Sequence, residues 1–217
     1  MKNIRRNYRK KSVLKNILYT HLQKNLKEYT IASLIFVIGI LLGIFFLNNL
    51  NDVQTNEISS YIKNSITTLK NNNNINELLM LKDLIISNTT FVLLLWLMGS
   101  TVIGLLLVYL IVCFKGFCFG YTVSAIIFVL GTGEGIIFSI SSMLLKDIIT
   151  IPCTIALAVS GMKVYKSIMQ DKRKENIKSE IVRHSLFCVF ILILLIVSSI
   201  LETYIAPFLI KYCINNL

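Results

Sequence analysis

Five apolar runs dominate the sequence, and polar or basic segments separate them. A run of about 18–20 apolar residues is long enough for a helix to cross the hydrocarbon core of a bilayer. The pattern therefore predicts an all-α fold, a polytopic membrane helical bundle with five transmembrane segments. The predicted spans cover residues 30–50, 84–114, 116–131, 136–161 and 185–206. The third of these is short for a bilayer.

The charges of the polar segments predict the orientation of the helices. Residues 1–27 contain nine basic and no acidic residues, and residues 163–183 contain seven basic and three acidic ones. Residues 48–83, by contrast, contain three basic and four acidic ones. Because basic loops remain on the cytoplasmic side of a membrane, we expect the N-terminus inside and the C-terminus outside.

The same pattern divides the chain into two regions. Residues 1–28 are basic and carry apolar residues at helical spacing, which predicts an amphipathic cytoplasmic segment on anionic membrane lipid. Residues 29–217 form a single membrane domain with an external helical loop at 51–83 and a basic cytoplasmic loop at 163–183. We expect two amphipathic helices in the external loop, joined at the asparagine run 71–74. This loop is either a hairpin on the membrane surface or a docking surface for an external partner.

Glycines recur four positions apart in two of the apolar runs. This spacing places both glycines on one face of a helix, where a neighbouring helix can approach closely. The residues predicted to pack helices in this way are Gly39, Gly43, Gly116 and Gly120. The same spacing leaves a homo-oligomer open. Pro152 and Pro207 predict helix breaks, because proline lacks the amide hydrogen that a continuous helix uses.

Charged residues interrupt the apolar runs. A lysine or aspartate at the centre of a span costs roughly 2.5–3.5 kcal/mol on the insertion scale, so the fourth segment needs neighbouring helices in order to insert. The predicted intramembrane polar residues are Glu134, Lys146, Asp147 and Glu202. Such residues are functional candidates, and here they either orient helices or form a transport path. We expect Lys115 to mark the return of the chain to the cytoplasm.

Composition argues against several other classes of protein. The chain is 55% hydrophobic and 15% charged, with a mean hydropathy of +0.71, and average soluble domains carry roughly 25% charged residues. The net charge of +11 has no nucleic-acid-binding motif beside it, so it indicates anionic lipid and not nucleic acid. The five cysteines form no CxxC pair. Neither a metal site nor any other cofactor is therefore indicated.

No catalytic motif is recognisable in the sequence. The segment 131–135 resembles a phosphate-binding loop, but no Walker lysine follows it, and we expect a tight external turn there. No HExxH motif is present, and we expect no serine to have a nearby base. His21 and His184 lie on the cytoplasmic flank of spans, which predicts interfacial side chains. We therefore do not expect an enzyme.

Four features of the chain occur in an order that is typical of one family. They are the basic N-terminus before the first glycine pair, FKGFCFGYTV at 114–123, Ile151-Pro152 after the glycine turn, and SSILETYIAP at 198–207. Over nearly its whole length the chain resembles the stage II sporulation protein M family of endospore-forming bacteria. The resemblance implies a non-enzymatic membrane member of the engulfment machinery. It also implies two cell-wall hydrolases as partners, stage II sporulation proteins D and P.

Two functions therefore remain as hypotheses. The resemblance implies a membrane scaffold that recruits or localises these hydrolases for septal peptidoglycan remodelling, in the septal or engulfing mother-cell membrane. The charged residues alone suggest instead a channel or transporter subunit. No repeat is evident between the two halves of the chain, which weakens a transporter built from inverted repeats.

Overall fold

The computed structural model describes residues 25–71, 76–101, 104–170, 174–205 and 207–208. Within this part of the chain there are six α-helices and no strand. The helices are α1 (Leu26–Asn48), α2 (Asp52–Asn71), α3 (Glu77–Gly99), α4 (Gly104–Leu130), α5 (Thr132–Gln170) and α6 (Lys174–Tyr204). Most of the predicted N-terminal amphipathic segment and of the asparagine junction lies outside the described residues.

Five of these helices are long and apolar enough to cross a membrane. The spans they contribute are Leu26–Asn48, Glu77–Gly99, Leu106–Leu130, Lys146–Met169 and Ile177–Tyr204. The all-helical class and the five transmembrane segments are thus confirmed, while the orientation of the termini stays a prediction. The sixth helix, α2, is polar and packs against α4. The predicted external loop accordingly holds α2 and the first turns of α3, which continues into the second span.

The structure divides the second and third spans at a different place from the prediction. The apolar run 84–114 is not one helix, because the chain turns at Ser100 and Thr101 after α3 has ended. The Ser100 hydroxyl donates to the Trp96 carbonyl at 2.8 Å, and the Gly104 amide donates to the Thr101 carbonyl at 3.1 Å. Small polar residues therefore form hydrogen bonds with backbone groups at this turn within an apolar run. The predicted short third span is corrected to a 25-residue span, and Lys115 lies inside α4 and not at a cytoplasmic return.

Pro152 does not break its helix. It lies inside α5, which is continuous for 39 residues. A proline leaves the carbonyl one turn earlier without its usual donor. Membrane helices tolerate this loss where neighbouring Ser and Thr side chains and packed helices support the backbone. Here the Thr150 hydroxyl donates to the Lys146 carbonyl at 3.0 Å, and the Thr154 hydroxyl donates to the Thr150 carbonyl at 2.8 Å.

The other proline lies beyond a helix end, since α6 stops at Tyr204, before Pro207. Because α5 is continuous, Lys146 and Asp147 lie in an unbroken helix.

Helix α5 lies at the centre of the bundle. It packs against α1, α3, α4 and α6, and half of its membrane span is buried, the largest share of the five. The residues with the most complete burial join these helices in one core: Ala32, Leu95, Val108, Val112, Leu157, Ala158, Val159, Met162 and Leu195. Large apolar side chains on the outward faces of α1, α4 and α6 remain exposed, as expected for surfaces in contact with lipid.

Candidate functional site

The centre of the candidate site is an ion pair between α5 and α6. The Lys146 ammonium lies 2.9 Å from Glu202 Oε1, and the two side chains are only 27% and 15% exposed. An isolated charge in a membrane span is expensive, and pairing with the opposite charge reduces this cost. Each helix therefore supplies the counter-charge of the other. Helix α6 is thus one of the neighbouring helices that α5 needs in order to insert.

Two further charges complete an intramembrane cluster. Asp147 is 8% exposed, and its carboxylate interacts electrostatically with Lys146, Lys115 and Glu202. Lys115 comes from α4, and its ammonium lies 5.1 Å above the ring centroid of Phe91 on α3. This distance is within the range of a cation–π interaction. Two lysines and two carboxylates from three helices thus form a cluster whose formal charges sum to zero.

Neutral polar side chains extend the cluster towards α3. The Ser198 hydroxyl donates to the Lys146 carbonyl at 3.3 Å, and Asn88 Nδ2 donates to the Ser199 hydroxyl at 2.8 Å. Asn88, Ser198 and Ser199 are all buried. Buried polar groups that are hydrogen-bonded to each other fix the relative positions of the helices that carry them. This network therefore holds α3, α5 and α6 in register.

Three buried polar atoms have no hydrogen-bond partner among the described residues. They are Ser139 Oγ, Asp147 Oδ2 and Glu202 Oε2. Such groups cost free energy when they are removed from water, and each one calls for a physical explanation. Ser139 and Asp147 both line a groove of about 400 Å³ between α4 and α5, and every other residue that lines it is apolar.

Glu134 does not take part in the cluster. It lies in the first turn of α5 and is exposed. The preceding turn consists of Gly131 alone, with a φ of 87°, which side chains other than glycine rarely adopt. The turn predicted at residues 131–135 is therefore corrected to the single residue Gly131, because α5 already begins at Thr132. Glu134 lies apart from the charges that face each other around Lys146.

A second polar centre lies near the other end of the bundle, and the sequence does not predict it. His184 is 1% exposed, so the expected interfacial position is corrected. Its Nδ1 lies 2.9 Å from the Ser160 hydroxyl, and its Nε2 lies 3.7 Å from Cys188 Sγ. The sequence expectation that no serine has a nearby base is wrong, because the two residues meet across α5 and α6. One sequence feature could have indicated this buried contact. It is the set of small residues on the facing helices: Gly99, Ser160 and Gly161.

The two glycine pairs face each other across α1 and α4. A Cβ atom on Gly39 would lie 2.1 Å from the Cys113 carbonyl oxygen, and one on Gly116 would lie 2.2 Å from the Phe36 carbonyl oxygen. Gly43 and Gly120 are equally tight against the facing backbone. Only a residue without a side chain fits at these four positions, so they are the helix-packing residues of the α1–α4 contact.

A larger cavity, of about 650 Å³, opens between α5 and α6 beside Ser160 and His184. Its charged residues are Lys163, Glu180 and Arg183, and most of its remaining lining is apolar. Nearby, an ion pair between Glu28 and Lys166 ties α1 to α5. This end of the bundle therefore carries its charges near the surface, in contrast to the buried cluster around Lys146.

The described residues contain no group of three or more metal-ligating side chains close enough to hold an ion. A family model described as Stage II sporulation protein M matches residues 32–207, a segment that includes nearly all of the five membrane-spanning helices. No curated protein and no solved structure matches the chain.

Proposed function

The chain belongs to the stage II sporulation protein M family, and from this membership we propose that it acts as a membrane scaffold of the engulfment machinery. It is a sporulation-related, multi-pass membrane protein. In the proposed role it recruits or localises cell-wall hydrolases for the remodelling of septal peptidoglycan. The proposed partners are stage II sporulation proteins D and P, and the proposed location is the septal or engulfing mother-cell membrane.

The observation that carries this proposal is the extent of the family match. The match runs from α1 to the end of α6, so the whole bundle is the unit that the family shares. A scaffold needs a bundle whose helices hold fixed positions. The glycine contact of α1 with α4 and the polar network of α3, α5 and α6 are two devices that supply such positions.

Helix α2 is the proposed docking element for an external partner. It lies in the loop that the charge pattern predicts to be outside, and within the described part of the chain it contacts the bundle at α4. Its apolar residues Val53 and Tyr61 are 70% and 75% exposed. Exposed aromatic and aliphatic side chains on an external helix are suitable anchors for a protein interface.

We propose that the protein is not an enzyme. The arrangement closest to a nucleophile and its base is Ser160 with His184. A catalytic histidine is usually oriented by a third group. Among the described side chains, no carboxylate hydrogen-bonds to this ring, and its Nε2 faces Cys188 Sγ and the backbone of Gly99. The pair therefore supports helix packing better than it supports acyl transfer.

A clean deletion in the source organism tests the scaffold proposal. Membrane-dye microscopy during sporulation is expected to show cells that form the polar septum and fail to engulf, with normal vegetative growth. A copy of the gene at another site in the chromosome should restore engulfment. Normal engulfment in the deletion strain would refute the proposal.

The unpartnered oxygens of Asp147 and Glu202 favour a second candidate, a channel or transporter subunit. In a transport path, buried carboxylate oxygens with free lone pairs could bind a passing cation or proton. Alanine at both Lys146 and Asp147 separates the two functions. Loss of a transport current with partner binding intact would support the second candidate, whereas loss of partner binding would support the scaffold.

A further inference from the structure

We propose that the groove between α4 and α5 is the binding site of a transmembrane helix from another protein, which donates hydrogen bonds to Ser139 and Asp147. This inference rests on the proposed scaffold function and identifies the surface where one of its partners is held. The groove has a volume of about 400 Å³, and its walls consist almost entirely of apolar side chains from the two helices.

The unpartnered atoms in the groove show that something polar is needed there. Ser139 and Asp147 are 6% and 8% exposed, and Ser139 Oγ and Asp147 Oδ2 find no partner among the described residues. The α4 wall of the groove, formed by Phe119, Val123 and Ile127, belongs to the span Leu106–Leu130, and at that depth no bulk water replaces the missing hydrogen bonds. Both atoms lie just below the surface of the groove, so a donor that enters it would satisfy them once each side chain rotates towards it.

The spacing of the two atoms favours a helix over an ion. Ser139 and Asp147 are eight residues apart on α5, which corresponds to about 12 Å along the helix axis. A single cation or proton can satisfy only one of them. A helix that runs along α5 with donors seven or eight residues apart satisfies both, because those positions share a face.

The charges around Asp147 favour a neutral donor. Lys115 and Lys146 already balance Asp147 and Glu202, so an additional cation would leave the buried cluster with a net charge. Serine, threonine, asparagine and glutamine side chains are the neutral donors that join helices within membranes. An acyl chain of a lipid would fill the apolar walls but would supply no donor.

The rim of the groove is open to such a helix. Ile136, Ile140 and Ile148, which line the groove on α5, are 47%, 51% and 63% exposed. These side chains border the two buried polar groups, so a docking helix would meet apolar contacts on its flanks and acceptors at the centre. This arrangement resembles an interface with a desolvated polar centre and an apolar border.

Site-specific photocrosslinking in sporulating cells tests the inference with the full chain. The photoreactive residue p-benzoylphenylalanine replaces Ile140 in the groove or, as a control, Leu110. Leu110 is 57% exposed and lies nine residues before Phe119 of the groove wall, on the opposite face of α4. The expected result is an adduct from position 140 alone. Its mapped peptide should be an apolar segment of another protein with hydrogen-bond donors seven or eight residues apart.

Variants of the two polar residues supply the decisive comparison. The pair Ser139→Ala and Asp147→Leu removes both acceptors and should lower the adduct yield roughly tenfold, which corresponds to about 1.4 kcal/mol. Asp147→Asn keeps a carbonyl oxygen at the same place and should retain most of the adduct. If the double variant does not accumulate in the membrane, Ile140→Trp obstructs the rim without altering either polar group, and the crosslinker then replaces Ile136.

Several results would overturn the inference. They are the absence of an adduct, an adduct with a second copy of this chain, an adduct with lipid alone, or a yield that the double variant does not change. A loss with Asp147→Asn equal to that with the double variant would indicate a bound cation or proton instead. If deletion of the gene blocks engulfment while the groove variants engulf normally, the scaffold function stands and this inference fails.

Discussion

Lys146 and Glu202 hold opposite charges 2.9 Å apart, and their side chains are 27% and 15% exposed. Such a pair is not in itself strongly stabilising, because both charges lose their hydration. The removal of only one of the two charged side chains has a larger effect on stability. Without Glu202, Lys115 and Lys146 would face the single carboxylate of Asp147, and the cluster would carry an uncompensated buried charge.

We predict that Glu202→Leu lowers the free energy of unfolding by about 3 kcal/mol, the usual cost of leaving one member of a buried pair alone. The double change Lys146→Met with Glu202→Leu should recover most of that loss, because it restores a neutral cluster with apolar packing. The measurement is unfolding of the purified protein by SDS in mixed micelles. Equal losses in the single and double variants would show that the unpaired Lys146 is not the source of the cost.

For Ser160 we predict a structural effect without a loss of function. Ser160→Ala removes a hydrogen bond to His184 and should cost about 1 kcal/mol of stability. Ser185→Ala, which removes the hydroxyl that Trp96 Nε1 contacts at 2.9 Å, is a matched control and should cost about the same. Engulfment should be normal in both strains. A block confined to Ser160→Ala would argue for a catalytic serine.

Single residues show where prediction from the sequence reaches its limit. Charges inside apolar runs were recognisable, and the structure brings Lys146, Asp147 and Glu202 together. Lys115 was misplaced because a lysine at the end of an apolar run and a lysine inside a long span look alike. The burial of His184 depends on which helices face it, and no local pattern records that. No local pattern indicates either that Asp147 Oδ2 lacks a hydrogen-bond partner among the described residues.

At the level of helices, the contact between α1 and α4 depends on four glycines. Their spacing in the sequence indicates a close approach, and the structure shows that the two pairs face each other in one chain. Backbone atoms of one helix occupy the place where a side chain of the other would lie. The contact therefore has no tolerance for added volume.

We predict that Gly116→Ala destabilises the protein by about 1–3 kcal/mol, because the added methyl group forces α1 and α4 apart. Gly133→Ala is the matched control, since no atom lies within 4 Å of the position that its Cβ would take. That change should be neutral or slightly stabilising, because alanine has less backbone freedom to lose on folding. Both variants are compared by SDS unfolding. Equal stability would mean that the helices can separate at no cost.

Helix boundaries were less predictable than helix number. Hydropathy counts apolar residues, and a turn of two or three small residues hardly changes the count. This is why the break at Ser100 and Thr101 was missed within the run 84–114. Pro152 was misleading for a related reason. In water a proline usually ends a helix, but α5 continues through it with threonine hydroxyls bonded to the backbone on either side.

For the whole molecule, the number of spans sets the relation between its ends. Five crossings would place the two termini on opposite sides of the membrane, and the charges of the basic segments predict which side is cytoplasmic. The corrected boundary between α3 and α4 leaves this parity unchanged, because one span still ends and another still begins there.

Reporter fusions test the predicted orientation. Alkaline phosphatase fused after residue 217 or inserted beside α2 should be active, because it folds only outside the cytoplasm. Green fluorescent protein fused at the N-terminus or inserted after α5 should fluoresce, because it folds inside. The reciprocal fusions serve as controls and should be silent. The opposite pattern at both ends would reverse the orientation and place the basic segments outside.

The one-residue turn at Gly131 and the ion pair of α5 together have a consequence for biosynthesis. Because α4 and α5 are joined by so short a link, they should leave the translocon as one helical hairpin. Lys146 then lacks its partner until Glu202, which is 56 positions later in the chain, has been synthesised. At the usual rate of 5–20 residues per second, the synthesis of this segment takes about 3–11 s. During that time the nascent chain holds an unmatched ammonium in the membrane, a feature that a quality-control protease or an insertase could recognise until α6 arrives.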